Sequence, residues 1–398
     1  MPWKTTEMIN ERTAFALRSL QPGVNFSQLC QEYGISRQVG YKWKKRFIEE
    51  GTPGMVERSR RPRSSPRELT EQVICRLNKC HQRHPAWGPK KIHAHYLGTY
   101  GEVPSLSSIK RIFERSGWVK KRRRRPAASG GRLHADRVAE EANDVWTVDF
   151  KGWWHVGDGG RCEPLTVRDE KTRYVLAIRG MSASTTEAVR SVFEELFHRY
   201  GLPKAIRSDN GPPFASRGNA LGLSRLSAWW LALGIDLERG RPGKPQDNGA
   251  HERLHRDIKA ELQDCAEDSM EEQQAAFEIW RTIFNRERPH EALGMKTPEM
   301  YYRKSPRTYT SEPVELEYRG MCSRRVNTAG MIKLENRPIR ISAALAGWSV
   351  GLKALDADTY EVYFSRLRIG QIELSTRSFL GADGRPEELA ESKKKESP

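Results

Sequence analysis

"DVWTVDFKGWWHV", residues 144–156, decides the fold of the central region. Val145, Trp146 and Val148 make it a buried strand, rich in β-branched and aromatic residues. Asp149 interrupts that apolar run. A carboxylate inside a buried strand is costly unless it is paired or holds a cation. Working outward, "RCEPLTVRDEKTRYVLAIRG" (161–180) supplies two more strands about a turn at Asp169–Lys171. "STTEAVRSVFEELFHRYG" (184–201) is an amphipathic helix with a capping box expected on Ser184 and Glu187. A short strand, "KAIRSD", then ends in Asp209, and "NGPPF" turns sharply after it. A helix at 224–233, a strand at 234–238 and the helix within "RPGKPQDNGAHERLHRDIK" (241–259) complete the block. Three antiparallel strands followed by parallel ones make a mixed five-stranded α/β sheet with helices. The first and fourth strands are neighbours in it.

That order brings Asp149 and Asp209 to the same part of the sheet, with Glu252 entering from a helix laid across it. Three hard oxygen donors meeting there suit Mg²⁺ (or Mn²⁺), two ions per site. Paired ions of this kind activate an attacking oxygen and stabilise a leaving one in phosphoryl transfer. Other acids have plainer readings. Asp169 is a turn former, Asp158 lies in the loop "GDGG", and Asp247 is an N-cap or first-turn acid. Helical spacing puts His255, Arg256 and Lys259 three, four and seven residues beyond Glu252. Lys259 shares its face, where it can touch DNA end phosphates. Arg256, His255 and the trio Arg288, Pro289 and His290 are left without an assigned role.

Lys and Arg total 68 against 51 Asp and Glu, a formal charge of +17 over 398 residues. A field of that sign attracts polyanions, above all nucleic acid. No run of eighteen apolar residues and no secretory leader is visible, so a membrane role is excluded and a cytoplasmic, nucleoid-associated protein is expected. Six scattered cysteines form no disulfide framework. "CRLNKCHQRH" (75–84) lacks the paired Cys-x-x-Cys spacing of a zinc site and reads as one basic helix.

Two small helical units precede the sheet. In residues 1–57, "FSQLCQEYGISRQVGYKWKKRF" is helix, Gly34 turn, and a second helix capped by Ser36. Ile35, Val39, Trp43 and Phe47 form the expected buried stripe, leaving Arg37, Tyr41, Lys44 and Lys45 to face the DNA major groove. Residues 67–119 repeat the plan, with Pro89 opening one helix and Ser105 capping the next. Lys110 and Arg111 face outward there. Between the units lies "RSRRPRSSP" (58–66), whose Arg58, Arg60 and Arg61 suit a minor groove between two reading heads.

"WTVDF", "SDNGPPF", "RPGKPQDNGAHERLHRDIK" and "FNRERPHEALGMKTPEMYY" together resemble a bacterial insertion-sequence transposase of the DDE superfamily, with its retroviral-integrase-like core. The resemblance covers residues 140–303, and paired helix-turn-helix units are usual companions. It implies a ribonuclease-H-like fold and places the catalytic, metal-binding triad on Asp149, Asp209 and Glu252, with a DNA-contacting basic residue at Lys259. It also implies a function: binding the terminal inverted repeats of the element, cleaving its ends and joining the 3′-hydroxyls to target DNA. Double-stranded DNA is then the partner, in a homo-oligomer that synapses two ends, with no small-molecule cofactor. The 42 residues between Asp209 and Glu252 exceed the family's common interval, and the excess falls in "ASRGNALGLSR" (215–225), where a loop absorbs length at little entropic cost. Residues 314–379 alternate apolar and basic positions and read as a small β-barrel, as the family often carries. The alternatives are a phage-like integrase with the same core, although the zinc-binding N-terminal domain is absent, and a non-catalytic helix-turn-helix regulator.

Overall fold

The computed structural model describes residues 5–59, 69–118, 138–216, 219–240 and 249–382. The chain divides into two compact units, residues 1–70 and 71–398. The first holds helices α1 (Thr5–Arg18), α2 (Phe26–Glu32) and α3 (Arg37–Glu50). Asn25 caps α2, and the Ser36 hydroxyl accepts from the Val39 N–H to cap α3. Phe15, Leu29, Cys30, Trp43 and Met55 form the core. The expected stripe is only partly right, because Val39 lies 38% exposed. Gly40 takes the inward position instead. A Cβ there would meet Cys30 Sγ at 2.7 Å, so the missing side chain is what lets α2 approach α3 so closely.

The second unit opens with α4 (Glu71–Arg83), α5 (Pro89–Tyr100) and α6 (Leu106–Arg115), around Leu77, Cys80, Trp87, Ile92, Tyr96, Ile109 and Phe113. Pro89 opens α5 and Ser105 caps α6. This bundle is docked on a later part of the same unit. Ile283 packs against its core, Arg83 pairs with Glu287 at 3.1 Å, and Lys90 pairs with Glu291.

The central sheet comprises β1 (Val145–Phe150), β2 (Trp154–His155), β3 (Arg161–Asp169), β4 (Val175–Met181), β5 (Ala205–Ser208) and β6 (Asp236–Arg239). β1 runs antiparallel to β3 and β3 to β4, while β1, β5 and β6 run parallel in that spatial order. The sheet is thus mixed as expected, but it has six strands. Gly152, at φ +85°, breaks β1, and the chain resumes as the two-residue β2 against Cys162 and Arg161. Helices α7 (Thr186–Tyr200) and α8 (Arg225–Ala232) cover one face over Trp146, Val148, Leu165 and Val167. Thr185, not Ser184, caps α7, so the expected capping box does not form. Helices α9 (Gly249–Ile258) and α10 (Met270–Arg286) cover the other face over Cys162, Val175 and Ile178, with a π-helical turn, Lys259–Gln263, after α9. Alternation along β1 therefore turns Trp146 and Val148 to α7 and α8, and Thr147 and Asp149 to the α9 side.

The C-terminal strands are β7 (Cys322–Arg325), β8 (Met331–Leu334), β9 (Arg337–Arg340), β10 (Ser349–Ala354), β11 (Thr359–Phe364), β12 (Leu367–Glu373) and β13 (Ser378–Gly381). They do not close the expected barrel. An antiparallel sheet in the order β13-β12-β11-β10-β7 stands beside a separate β8–β9 hairpin. Ile332, Leu334 and Ile339 of the hairpin cover the sheet's apolar face, so side-chain packing does what ladder bonds do in a barrel. Ala220, Leu223, Ala228, Leu231 and Ala232 belong to the same core. Described residues of the 215–225 insertion are thus no free loop: Arg239 donates to the Leu221 and Gly222 carbonyls at 2.8 Å, and the segment seats the C-terminal sheet on α8.

Candidate active site

The last paired residues of the parallel β1–β5 ladder are Thr147 and Arg207. Two residues further along each segment come Asp149, still on β1, and Asp209, the first residue past β5, so the ladder carries both acids out at the same level. Asp209 opens a turn fastened by Asn210, whose amide donates to the Gly240 carbonyl at 2.7 Å. Phe214, fully buried against Phe150 and Trp230, anchors the far side of that turn. Glu252 lies exposed in the first turn of α9, where a carboxylate suits the helix dipole.

Asp149 senses the other two acids. Burial pushes the Asp149 carboxyl up to about 7, and the charges of Asp209 and Glu252 push the same way, against a backbone hydrogen bond from Phe150 that lowers it. A carboxylate cluster that repels itself in this way, built from hard oxygen donors, fits a divalent cation. Among the described residues, however, no three acid, histidine or cysteine side chains are yet drawn together as a metal-binding group.

Beneath the acids runs a buried polar string that sequence reading missed. Arg168 Nε donates to Thr147 Oγ at 3.1 Å, and Thr147 Oγ lies 3.0 Å from His251 Nδ1. His251 Nε2 lies 2.6 Å and His255 Nε2 2.9 Å from Thr166 Oγ, which donates to the Asp149 carbonyl at 2.9 Å. Thr166 has one hydroxyl proton, so both imidazoles donate to it. His255 then turns Nδ1 toward the Asp149 carboxyl, 3.9 Å away. Burial keeps both rings neutral: His251 falls well below the ordinary histidine range, and His255 is pushed down to about 4 by burial and then by Lys151 and Arg168. The available signal was "HERLH", two histidines four apart flanking Glu252. As a string it matches the H-E-x-x-H zinc pattern. Here both rings are turned onto Thr166.

Lys259 is exposed in the π-helical turn, and π turns are frequent at functional sites. Lys151 is its neighbour: burial and then the Lys259 charge lower the Lys151 amine, which donates to Gln263 Oε1 at 3.3 Å. Arg256 is exposed. Arg288 is committed inside the protein, donating to Asp257 at 2.6 Å and Glu261 at 3.3 Å, and His290 packs edge-on against Phe284. Of the rival acids, Asp169 is fully buried and accepts from the Asn143 and Thr172 N–H groups and the Thr172 hydroxyl, which makes it a turn anchor. Asp158 accepts from the Gly160 N–H in its loop, and Asp247 lies outside the described residues.

On α3, Arg37 and Lys45 are exposed, with Lys45 3.8 Å from Glu49. Tyr41 stacks on Phe26 at 4.3 Å, and Lys44 donates to the Ser19 carbonyl at 2.9 Å. Arg58 pairs with Glu50, whereas Arg60 and Arg61 lie outside the described residues. Lys110 and Arg111 are exposed on α6.

Residues 139–245 and 233–298 match the integrase core domain family. The two matches together span residues 139–298. The first match spans Asp149 and Asp209, and the second spans Glu252. Residues 11–63 match a helix-turn-helix domain and 39–113 a homeodomain-like domain. An uncharacterized 31.7 kDa protein of insertion element IS407 from Burkholderia multivorans is 26% identical over 61% of this chain and 84% of its own length. An uncharacterized 39.2 kDa protein of insertion element IS476 from Xanthomonas euvesicatoria is also 26% identical, over 59% of this chain and 66% of its own. The HTLV-2 integrase catalytic core, solved in complex with magnesium, is 17% identical over 42% of this chain and 100% of that chain, with a TM-score of 0.33. The chain thus combines matches to the integrase core and to helix-turn-helix domains with similarity to proteins of two bacterial insertion elements. No helix of the described residues is long and apolar enough to cross a membrane.

Proposed function

We propose that this integrase-core transposase binds the terminal inverted repeats of its own element, hydrolyses the DNA at each end and joins the exposed 3′-hydroxyls to target DNA. The observation that carries the reading is the register of β1 and β5, which brings Asp149 and Asp209 out two residues beyond the paired Thr147 and Arg207, beside α9 with Glu252 in its first turn. Asp149, Asp209 and Glu252 would hold two Mg²⁺ (or Mn²⁺) ions, which when bound neutralise phosphodiester charge and favour the attacking and leaving oxygens. Water attack at the element end breaks one P–O bond and leaves a 3′-hydroxyl. That hydroxyl then displaces one target-strand oxygen, so each bond formed replaces a bond broken and no external energy source is needed. Lys259, with Lys151 beside it, holds the phosphates against the acids.

Arg37, Tyr41, Lys45, Lys110 and Arg111 are the groups we assign to reading or gripping duplex DNA, with Lys44 and Arg58 supporting the first head. Synapsis of two ends calls for a homo-oligomer. The chain then works in the cytoplasm on the nucleoid.

The test is strand transfer by the full chain on DNA carrying the repeats that flank its gene. Asp149→Asn, Asp209→Asn and Glu252→Gln should each lower joining by about two orders of magnitude or more, the scale of lost transition-state charge stabilisation. DNA binding should persist in all three. Full joining activity in the three variants would sink the mechanism.

A further inference from the structure

Asp149 sits on a strand and Glu252 on a helix, so something must set the distance between the two elements. Main-chain ladders cannot, because α9 forms its hydrogen bonds within itself. Among the described residues, Thr147 on the strand meets His251 on the helix, and one further hydroxyl reaches both histidines. Thr166 Oγ donates to the carbonyl of Asp149 itself and receives His251 and His255, which stand on either side of Glu252 on the inward face of α9. The rings meet at 4.8 Å and 78°, edge to face, so neither turns without disturbing the other. Thr147 and Arg168 fasten the far end of the string. His251, Thr147, Thr166 and Arg168 are all buried, so water does not substitute for a lost partner.

We propose that Thr166 and His251 are positioning residues, which fix the helix of Glu252 to the strand of Asp149 and so set where the two carboxylates meet a divalent cation. The inference rests on the reading of Asp149 and Glu252 as metal ligands. Groups that orient ligands in this way usually change metal affinity by about 10–100-fold when removed. Valine has the shape of threonine and suits a strand equally well, but it removes all three hydrogen bonds at once. Serine keeps the hydroxyl.

The experiment follows Mn²⁺ binding to the full chain by the electron paramagnetic resonance of free Mn²⁺, with no DNA and hence no turnover. Each variant is held at a temperature where circular dichroism shows it folded. Wild type should bind Mn²⁺ and Asp149→Asn should lose that binding. Thr166→Val should bind about tenfold or more weakly and Thr166→Ser close to wild type. Affinity for a generic DNA duplex, read by fluorescence anisotropy, should be the same in wild type and in both Thr166 variants. Wild-type Mn²⁺ affinity in Thr166→Val would overturn the inference and leave the carboxylate reading standing. So would equal weakening in Thr166→Ser, which would point to packing and not the hydroxyl. Mn²⁺ binding indifferent to Asp149 would overturn both.

Discussion

Asp149 was legible because physical chemistry makes an acid in an apolar strand conspicuous. Its supporting residues were not. Thr147 and Thr166 look like ordinary strand residues, since β-branched side chains suit a pleated surface whatever their hydroxyls do. Arg288 was visible but ambiguous, and only three-dimensional contact shows it joining Asp257 of α9 to Glu261 of the π-helical turn. Near this pair, burial and neighbouring cations hold His290 at about 3, and burial followed by the charges of His95, Arg83 and Arg288 holds His84 at about 4. Both folded-state values lie below the ordinary histidine value of about 6.5. Below that pH the unfolded chain takes up protons that the folded chain refuses, so stability falls as pH drops. It is fully present above about pH 6.5 and is lost progressively on the way down. The urea midpoint of the second unit should therefore be lower at pH 5 than at pH 7.5, and His290→Leu should flatten that dependence. An equally steep dependence in the variant would show that His290 is not among the groups responsible.

At the scale of elements, period and caps carried far. The strand pair around Asp169, the helix at 186–200 and the caps at Ser36 and Ser105 come from local sequence. What local sequence could not show was which partner an element finds. The 215–225 stretch reads as a tolerant loop because it is rich in small residues, yet Ala220 and Leu223 are buried under the C-terminal sheet. The barrel expectation failed for the same reason: alternating residues specify a two-faced strand but not how the ladder closes. Because α8 and the C-terminal sheet share one core, a chain ending at residue 313 would expose Ala228, Leu231 and Ala232. We expect a 71–313 fragment to be poorly soluble, whereas 71–382 should give a single calorimetric transition. A soluble, cooperatively folding 71–313 fragment would show that the shared core is dispensable.

At the scale of the whole molecule, the composition pointed to nucleic acid and the order of motifs pointed to a reading head followed by a cutting domain. Neither could show that α4, α5 and α6 are tied to α10. Ile283 enters their core, Glu287 meets Arg83, and Glu291 meets Lys90. Burial and then the Arg288 charge lower the Lys91 amine to about 8, while Asp257 and Glu261, on the segment just after Glu252, pull it back up. The second helical bundle is thus built into the same body as the central sheet.

That attachment makes the protein a caliper. If α6 reads a sequence near the element end, the span from the bases it reads to the bond that is cut is set by protein and not by a flexible tether. Moving the read sequence inward by about five base pairs, half a helical turn, should then abolish cleavage and not simply relocate it. Cleavage that tracks the moved sequence would mean the bundle lets go of α10 when DNA arrives. An element whose transposase measures in this way can tolerate drift in its interior, but not in the few base pairs between its reading mark and its edge.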